Sequence, residues 1–128
     1  MIDALFSQPN YLGAKKALDA IELRQEALAG NIANLETPGY KRMDVAPSFS
    51  AELSRACAAR DGDQISSLQP HLAVDTTAVS KSPDGNNVSL EDELMKMSQN
   101  TIAHTLEVRL VNGQFTKLRM AITGKSVG

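Results

Sequence analysis

Three side chains in this sequence are the readiest to do chemistry near neutral pH: Cys57, His71 and His104. A cysteine nucleophile needs a base beside it. Neither histidine is near Cys57 in sequence, so the thiol reads as neutral and semi-buried. The histidines are far apart and belong to no His-x-x-x-His or Cys-x-x-Cys spacing of the kind a zinc site uses. Two acidic clusters remain. Asp84-Gly85-Asn86-Asn87 has the turn residues of a calcium loop but lacks the alternating oxygen ligands and the glutamate at position twelve. Glu91-Asp92-Glu93 opens a helical pattern, where acids suit the positive end of the helix dipole. Glycoside cleavage would need two converging carboxylates, and no such pair stands out. The expectation is a chain with no catalytic residue, no metal and no cofactor. Its function should then lie in how it packs.

The framework that must position these residues is helical. The chain has 128 residues, a formal net charge of −2, 4% aromatic residues and no Trp. That length supports one domain with a modest core. With so few aromatics the core must come from Leu, Ile, Val, Met and Ala, which suits packed helices. Thirteen basic and fifteen acidic residues, spread along the chain, give no clustered basic surface for nucleic acid. The stretch MIDALFSQPNYLGAKK lacks the basic and apolar regions of a cleaved secretory signal. No apolar run approaches the roughly 18 residues of a membrane span, so the chain is not expected to cross one. A lone cysteine excludes an internal disulfide.

Two long amphipathic patterns stand at the ends. The first follows Tyr11, Ala14, Leu18, Ile21, Gln25, Leu28, Ile32 and Leu35 in alternating steps of three and four, the spacing of a helix packed on another helix. Gln25 is its polar exception and could fix register. Lys15, Lys16, Asp19, Glu22, Arg24 and Glu26 mark the solvated face. The second starts at Ser89, a good N-cap. It follows Leu90, Leu94, Met97, Thr101, His104, Val108, Val111, Phe115, Leu118 and Ile122. Lys117, Arg119 and Lys125 suit its carbonyl end, and Gly124 is a plausible stop. A helix of that length, roughly 51 Å, exceeds what most single domains contain. Between the two patterns, Pro47, Pro70, Pro83, RDGDQ and SPDGNN break any period. A short helix near 49–59 and a strand near 72–74 are all that the middle supports. The fold expected is mainly α, with the two terminal helices pairing as a coiled-coil core around an irregular insert. The divisions are residues 1–45, 46–88 and 89–128, the two ends forming one assembly domain.

The first pattern ends abruptly in Asn31-Ile32-Ala33-Asn34-Leu35-Glu36-Thr37-Pro38-Gly39-Tyr40-Lys41. Pro38 biases Thr37 away from the α region. Thr-Pro-Gly-Tyr then fits a type II turn, with Pro presetting φ and Gly supplying a positive φ. Lys41 and Arg42 fall where a helix end favours cations. Asn31 and Asn34 could bond the exposed backbone of a neighbouring chain. The physical reading is a well-defined corner between packed segments.

This segment resembles the N-terminal signature of the flagellar rod and hook axial proteins, in which Asn-Ile-Ala-Asn leads into Thr-Pro-Gly-Tyr. Asp84 to Ile122 resembles the C-terminal region of the proximal-rod branch of that family, where an Asp-Gly-Asn-Asn-Val turn opens an acidic helix. The resemblance implies a structural subunit of the basal-body rod, exported without a cleaved signal and assembled helically in the periplasm into a torque-transmitting shaft. It implies as partners copies of the same chain, the rod proteins FlgC, FlgF and FlgG, the rod–ring adaptor FliE and the export gate. It places Leu18, Ile21, Gln25, Leu28, Asn31, Ile32, Asn34, Leu90, Leu94, Met97, Val108, Val111, Phe115 and Leu118 at subunit interfaces. Asn31 to Asn34 and Thr37 to Lys41 form the family corner. The sibling FlgC, or a cytoplasmic export adaptor or chaperone, is the alternative.

Overall fold

The structure, a computed structural model, describes residues 8–80 and 82–124. Lys125 falls outside them. The fold is mainly α. Helix α1 spans Pro9–Ala33, with Pro9 in its first turn, where a missing N–H costs nothing. Strand β1 (Met43–Val45), helix α2 (Pro47–Ala58), helix α3 (Gly62–Ser67) and strand β2 (Leu72–Val74) follow, and helix α4 spans Leu90–Thr123.

The middle segment is more ordered than its composition suggests. β1 and β2 form an antiparallel ribbon that pairs Met43 with Val74, Asp44 with Ala73 and Val45 with Leu72. Ala46 N–H to the His71 carbonyl (2.9 Å) and Asp75 N–H to the Arg42 carbonyl (2.9 Å) extend the ladder at either end. The stretch Arg60 to Gln64 is a turn and also a helix start. Arg60 takes a left-handed φ of 54°, and Asp61 caps α3 by accepting the Gln64 N–H at 3.1 Å. The turn residues hide α3 in the sequence because the same residue types serve as helix caps.

The hydrophobic core lies between α1 and this middle segment. It comprises Ala27 and Leu28 of α1 with Val45, Ala46, Phe49, Ala56 and Ile65. Gly13 lets α2 approach α1 closely, since a Cβ there would lie 2.8 Å from Cys57 Sγ. Leu28 and Asn31, expected at a subunit interface, are closed inside the chain at 0% exposure. Of the other α1 seam residues, Gln25 is exposed, and Leu18, Ile21 and Ile32 are half-buried.

α4 lies antiparallel along α1. Tyr11 meets Phe115 in an edge-on ring contact at 5.6 Å, Asn100 bonds residues 21 and 25, and Glu93 bonds Asn31. Ser89 is the N-cap residue, but its side chain makes no capping bond. Gly124 closes the helix at φ 65°, its N–H reaching the Met120 carbonyl at 2.8 Å. The mid-helix threonines are satisfied locally: Thr101 and Thr105 donate to the carbonyls of Met97 and Thr101 at 3.0 and 3.1 Å.

The face that α4 turns towards α1 is not the one its apolar spacing suggests. The less exposed positions run Glu93, Lys96, Asn100, Ala103, Glu107, Val111, Gln114 and Leu118. In the first half of the helix that is the expected seam rotated by about one residue, while Val111 and Leu118 belong to both. Leu90, Leu94, Thr101, His104, Phe115 and Ile122 are exposed, while Met97, Val108, Val111 and Leu118 are half-buried. The residues of α4 that are buried are Glu93 and Asn100, both polar. Burial lifts the Glu107 carboxyl above its ordinary range, as expected for an acid on a helix-facing surface.

Candidate functional site: the interlocked corner

The corner after α1 folds as a type II turn. Tyr40 N–H donates to the Thr37 carbonyl at 3.2 Å, and Gly39 has a φ of 73°, a conformation that glycine reaches without a Cβ clash. The turn is locked against the Asp84–Asn87 segment. Gly39 N–H donates to the Asp84 carbonyl at 3.0 Å, and Lys41 Nζ donates to the Gly85 carbonyl at 2.5 Å. The two stretches that carry the family resemblance, far apart in sequence, are thus hydrogen-bonded to each other.

Asparagines do most of this work, because one amide offers both donors and an acceptor. Asn86 is buried, and its Nδ2 points at the carbonyls of Asn34, Leu35 and Thr37 at 2.9, 3.0 and 2.9 Å. It satisfies the carbonyls of the C-cap residue Asn34 and of the turn that follows α1. Asn87 Oδ1 accepts the Arg42 N–H at 2.7 Å. Asn31 Oδ1 accepts from Met43 N–H (2.9 Å) and Tyr40 O–H (3.2 Å). Its Nδ2 donates to the Met43 carbonyl (2.8 Å) and to Glu93 Oε2 (3.1 Å). Asn34 donates to the Gly30 carbonyl at 2.8 Å and accepts from Thr37 Oγ1 at 3.1 Å. Asn31 and Asn34 therefore bond their own chain. Asp84, which suggested a calcium loop, accepts from Ser82 Oγ at 2.6 Å and from Asn86 N–H at 3.0 Å. Those bonds hold its carboxyl below the ordinary value.

Beneath the corner lies a buried ionic knot. Arg42, 2% exposed, donates through Nε to Glu93 Oε1 at 2.7 Å, through Nη1 to Asp75 and through both terminal nitrogens to Asp44 at 3.3 Å. Asp44 also accepts from Arg24 Nε at 2.9 Å. Burial disfavours the guanidinium charge, but the bonds to Glu93 and Asp75 outweigh it and raise the Arg42 pKa. Burial likewise works against the Asp75 carboxylate. Bonds from Thr77 and Arg42 prevail and lower its pKa from 3.8 to about 2. One guanidinium thereby joins the corner, the β-ribbon and the start of α4.

Sequence reasoning placed Arg42 at a helix end and read Glu93 as ordinary acid enrichment. It missed Arg42, Asp75, Glu93 and Asn100 as buried partners. The signals were faint: a cation directly after the corner, consecutive asparagines in the second signature, and an asparagine in mid-helix. It read Met95 as an interface packing residue but passed over Ile102, Leu106 and Leu110, which continue an exposed apolar stripe along α4.

This arrangement holds geometry. Every carboxylate of the knot is engaged by a guanidinium, so none is a ready proton acceptor or nucleophile. Cys57 packs against α1 beside Gly13, and His71 and His104 are exposed. Among the described residues no group of His, Cys, Asp and Glu could hold a metal ion. No described helix is long and apolar enough to cross a membrane.

Known proteins carry the same pattern. A family profile described as flagella basal body rod protein matches residues 14–41, which cover most of α1 and the corner. The chain is 34% identical over 120 residues to the flagellar basal body rod protein FlgB of Cereibacter sphaeroides, spanning 86% of this chain and 91% of that one. It is 30% identical over 116 residues to the protein of that name in Bacillus subtilis, across 86% and 90% of the two chains. Against the one from Borrelia hermsii it is 29% identical over 127 residues, across 85% and 92%. With both signatures present and joined in one corner, and relatives matched over most of their length, the chain belongs to the flagellar basal body rod protein FlgB family and is a structural subunit of the rod.

Proposed function

We propose that this chain is a proximal-rod subunit that joins its neighbours through the outward faces of its terminal helices. The observation that carries this reading is the surface of α4. Of eleven exposed large apolar residues among those described, nine lie on this helix. Exposed apolar stripes of such length mark sites of protein–protein contact. Leu90, Leu94 and Phe115 line one flank, with half-buried Met97, Val108, Val111 and Leu118 beside them; Met95, Ile102, Leu106 and Leu110 form a second exposed stripe. Leu18, Ile21 and Ile32 add half-buried surface from α1.

In this reading the ends, residues 1–45 and 89–128, form one assembly domain. Residues 46–88 brace its corner from outside the tube. The neighbours are further copies, the rod proteins FlgC, FlgF and FlgG, the adaptor FliE and the export gate. The subunit works in the periplasm after export without a cleaved signal, as part of a helical, torque-transmitting shaft. The corner sets the direction in which the two helices enter that shaft.

Deletion of the gene, followed by electron microscopy of isolated basal bodies, tests this. Rings without rod or hook, restored by the intact chain, are expected. Rods that still form, with the chain recovered from the cytoplasm alone, would point instead to an export adaptor.

A further inference from the structure

In the first half of α4 the apolar seam could face α1, yet Leu90, Leu94, Thr101 and His104 are exposed there. A roll of the helix by about 100°, the turn of a single residue, would bring Leu90 and Leu94, both exposed, onto α1. Apolar burial favours that roll. Two polar contacts one heptad apart oppose it. The Glu93 carboxylate is held by Arg42 and Asn31. The Asn100 amide donates to the Ile21 carbonyl at 3.0 Å and to Gln25 Oε1 at 3.1 Å. Rolling the helix would break both, leaving a buried guanidinium short of a partner. A buried asparagine in a helix seam can fix register at a cost in stability.

We propose that Asn100, supported by Glu93, is a positioning residue that sets the roll and register of α4 on α1, so that the helix keeps its apolar faces outward for neighbouring subunits. The inference rests on the reading of those faces as assembly surface. Asn100 is the informative member, because Glu93 also completes the ionic knot and its loss would disturb the corner as well.

The test is Asn100→Leu, read with a thiol probe placed by Thr101→Cys. Thr101 is exposed and lies on the seam that would turn inward. In the purified monomer, with the reaction of Cys57 measured separately and subtracted, the added thiol should react severalfold more slowly with a maleimide when Asn100 is Leu. The urea midpoint should hold or rise. Basal bodies carrying Asn100→Leu should lack rods. An unchanged or faster reaction, or a lowered midpoint, would make Asn100 merely structural and overturn the proposal. Asn100→Ala removes the bonds without adding bulk and guards against a simple packing defect: it too should slow the probe, and a faster reaction in both variants rejects the lock. The monomer assay does not depend on assembly. A slowed probe with normal rods would therefore keep the lock and overturn the assembly role of the face.

Discussion

The two halves of this molecule are built on opposite plans. Where the middle segment meets α1, the apolar residues point inward: Leu28, Val45, Phe49 and Ile65 are buried there, and the ribbon and short helices close over them. Where α4 meets α1, the buried residues of α4 are Glu93 and Asn100, and most of its large apolar side chains are exposed. The first plan is that of a small self-sufficient domain. The second fits a component whose hydrophobic surface is completed by something else. The difference shows that a heptad pattern identifies a packing helix without saying which face meets its own chain. It also divides the energetics, with hydrophobic burial holding the middle segment on α1 and polar contacts orienting α4.

This contrast can be broken at several points. The largest effect should come from Glu93→Ala, which takes the most deeply buried charged partner from a buried guanidinium. Loss of one member of a buried pair costs roughly 3–5 kcal/mol. Urea unfolding should show that loss, and a change below about 1 kcal/mol, the size of a surface ion pair, would mean that Arg42 finds compensation in Asp44 and Asp75. Leu28→Ala should come next, at about 3 kcal/mol from lost transfer energy and the cavity left behind. If it proved milder than a surface truncation, the core would not lie where the middle segment meets α1.

Acid offers a gentler probe of the knot. Folding lowers the Asp75 pKa, so its contribution to stability is fully present above the ordinary value of 3.8 and is lost as pH falls from there towards about 2. The stability gap between the parent and Asp75→Asn should close across that window. A gap that stays constant through it would remove Asp75 from the knot's energetics. The smallest effect is expected from Leu106→Ala, since Leu106 on α4 is 56% exposed. Monomer stability should move by no more than about 0.5 kcal/mol, and a larger loss in calorimetry would mean that the stripe already packs within the chain.

Much of this fold was legible in the sequence because it rests on local signals. The Thr37–Tyr40 turn follows from proline and glycine chemistry, α1 and α4 from long periodic spacing, and β2 from a short apolar run. Strand β1 and helix α3 were not legible. β1 is three residues long and exists through its pairing with β2, while α3 begins among residues that equally make turns. The orientation of α4 was hidden for a different reason. Its apolar residues fall on more than one side, so several helical phases fit the pattern, and the choice depends on where Arg42, Asn31 and Gln25 lie in space. The corner was recognised as a corner, but its partner segment was not, because the bonds from Asn86 and Asn87 span the whole middle of the chain. Buried ionic partners carry no periodic signature, and Glu93 looks like any acid in a first helical turn.

The most direct test of the central claim is a single charge on the outward face. Leu106→Asp, expressed in place of the parent chain, should yield basal bodies with rings but no rod in electron micrographs, while the purified variant keeps the parent's circular dichroism spectrum and urea midpoint. Normal rods from that variant would contradict the account, because a buried, unpaired carboxylate could not be accommodated at a packed subunit interface.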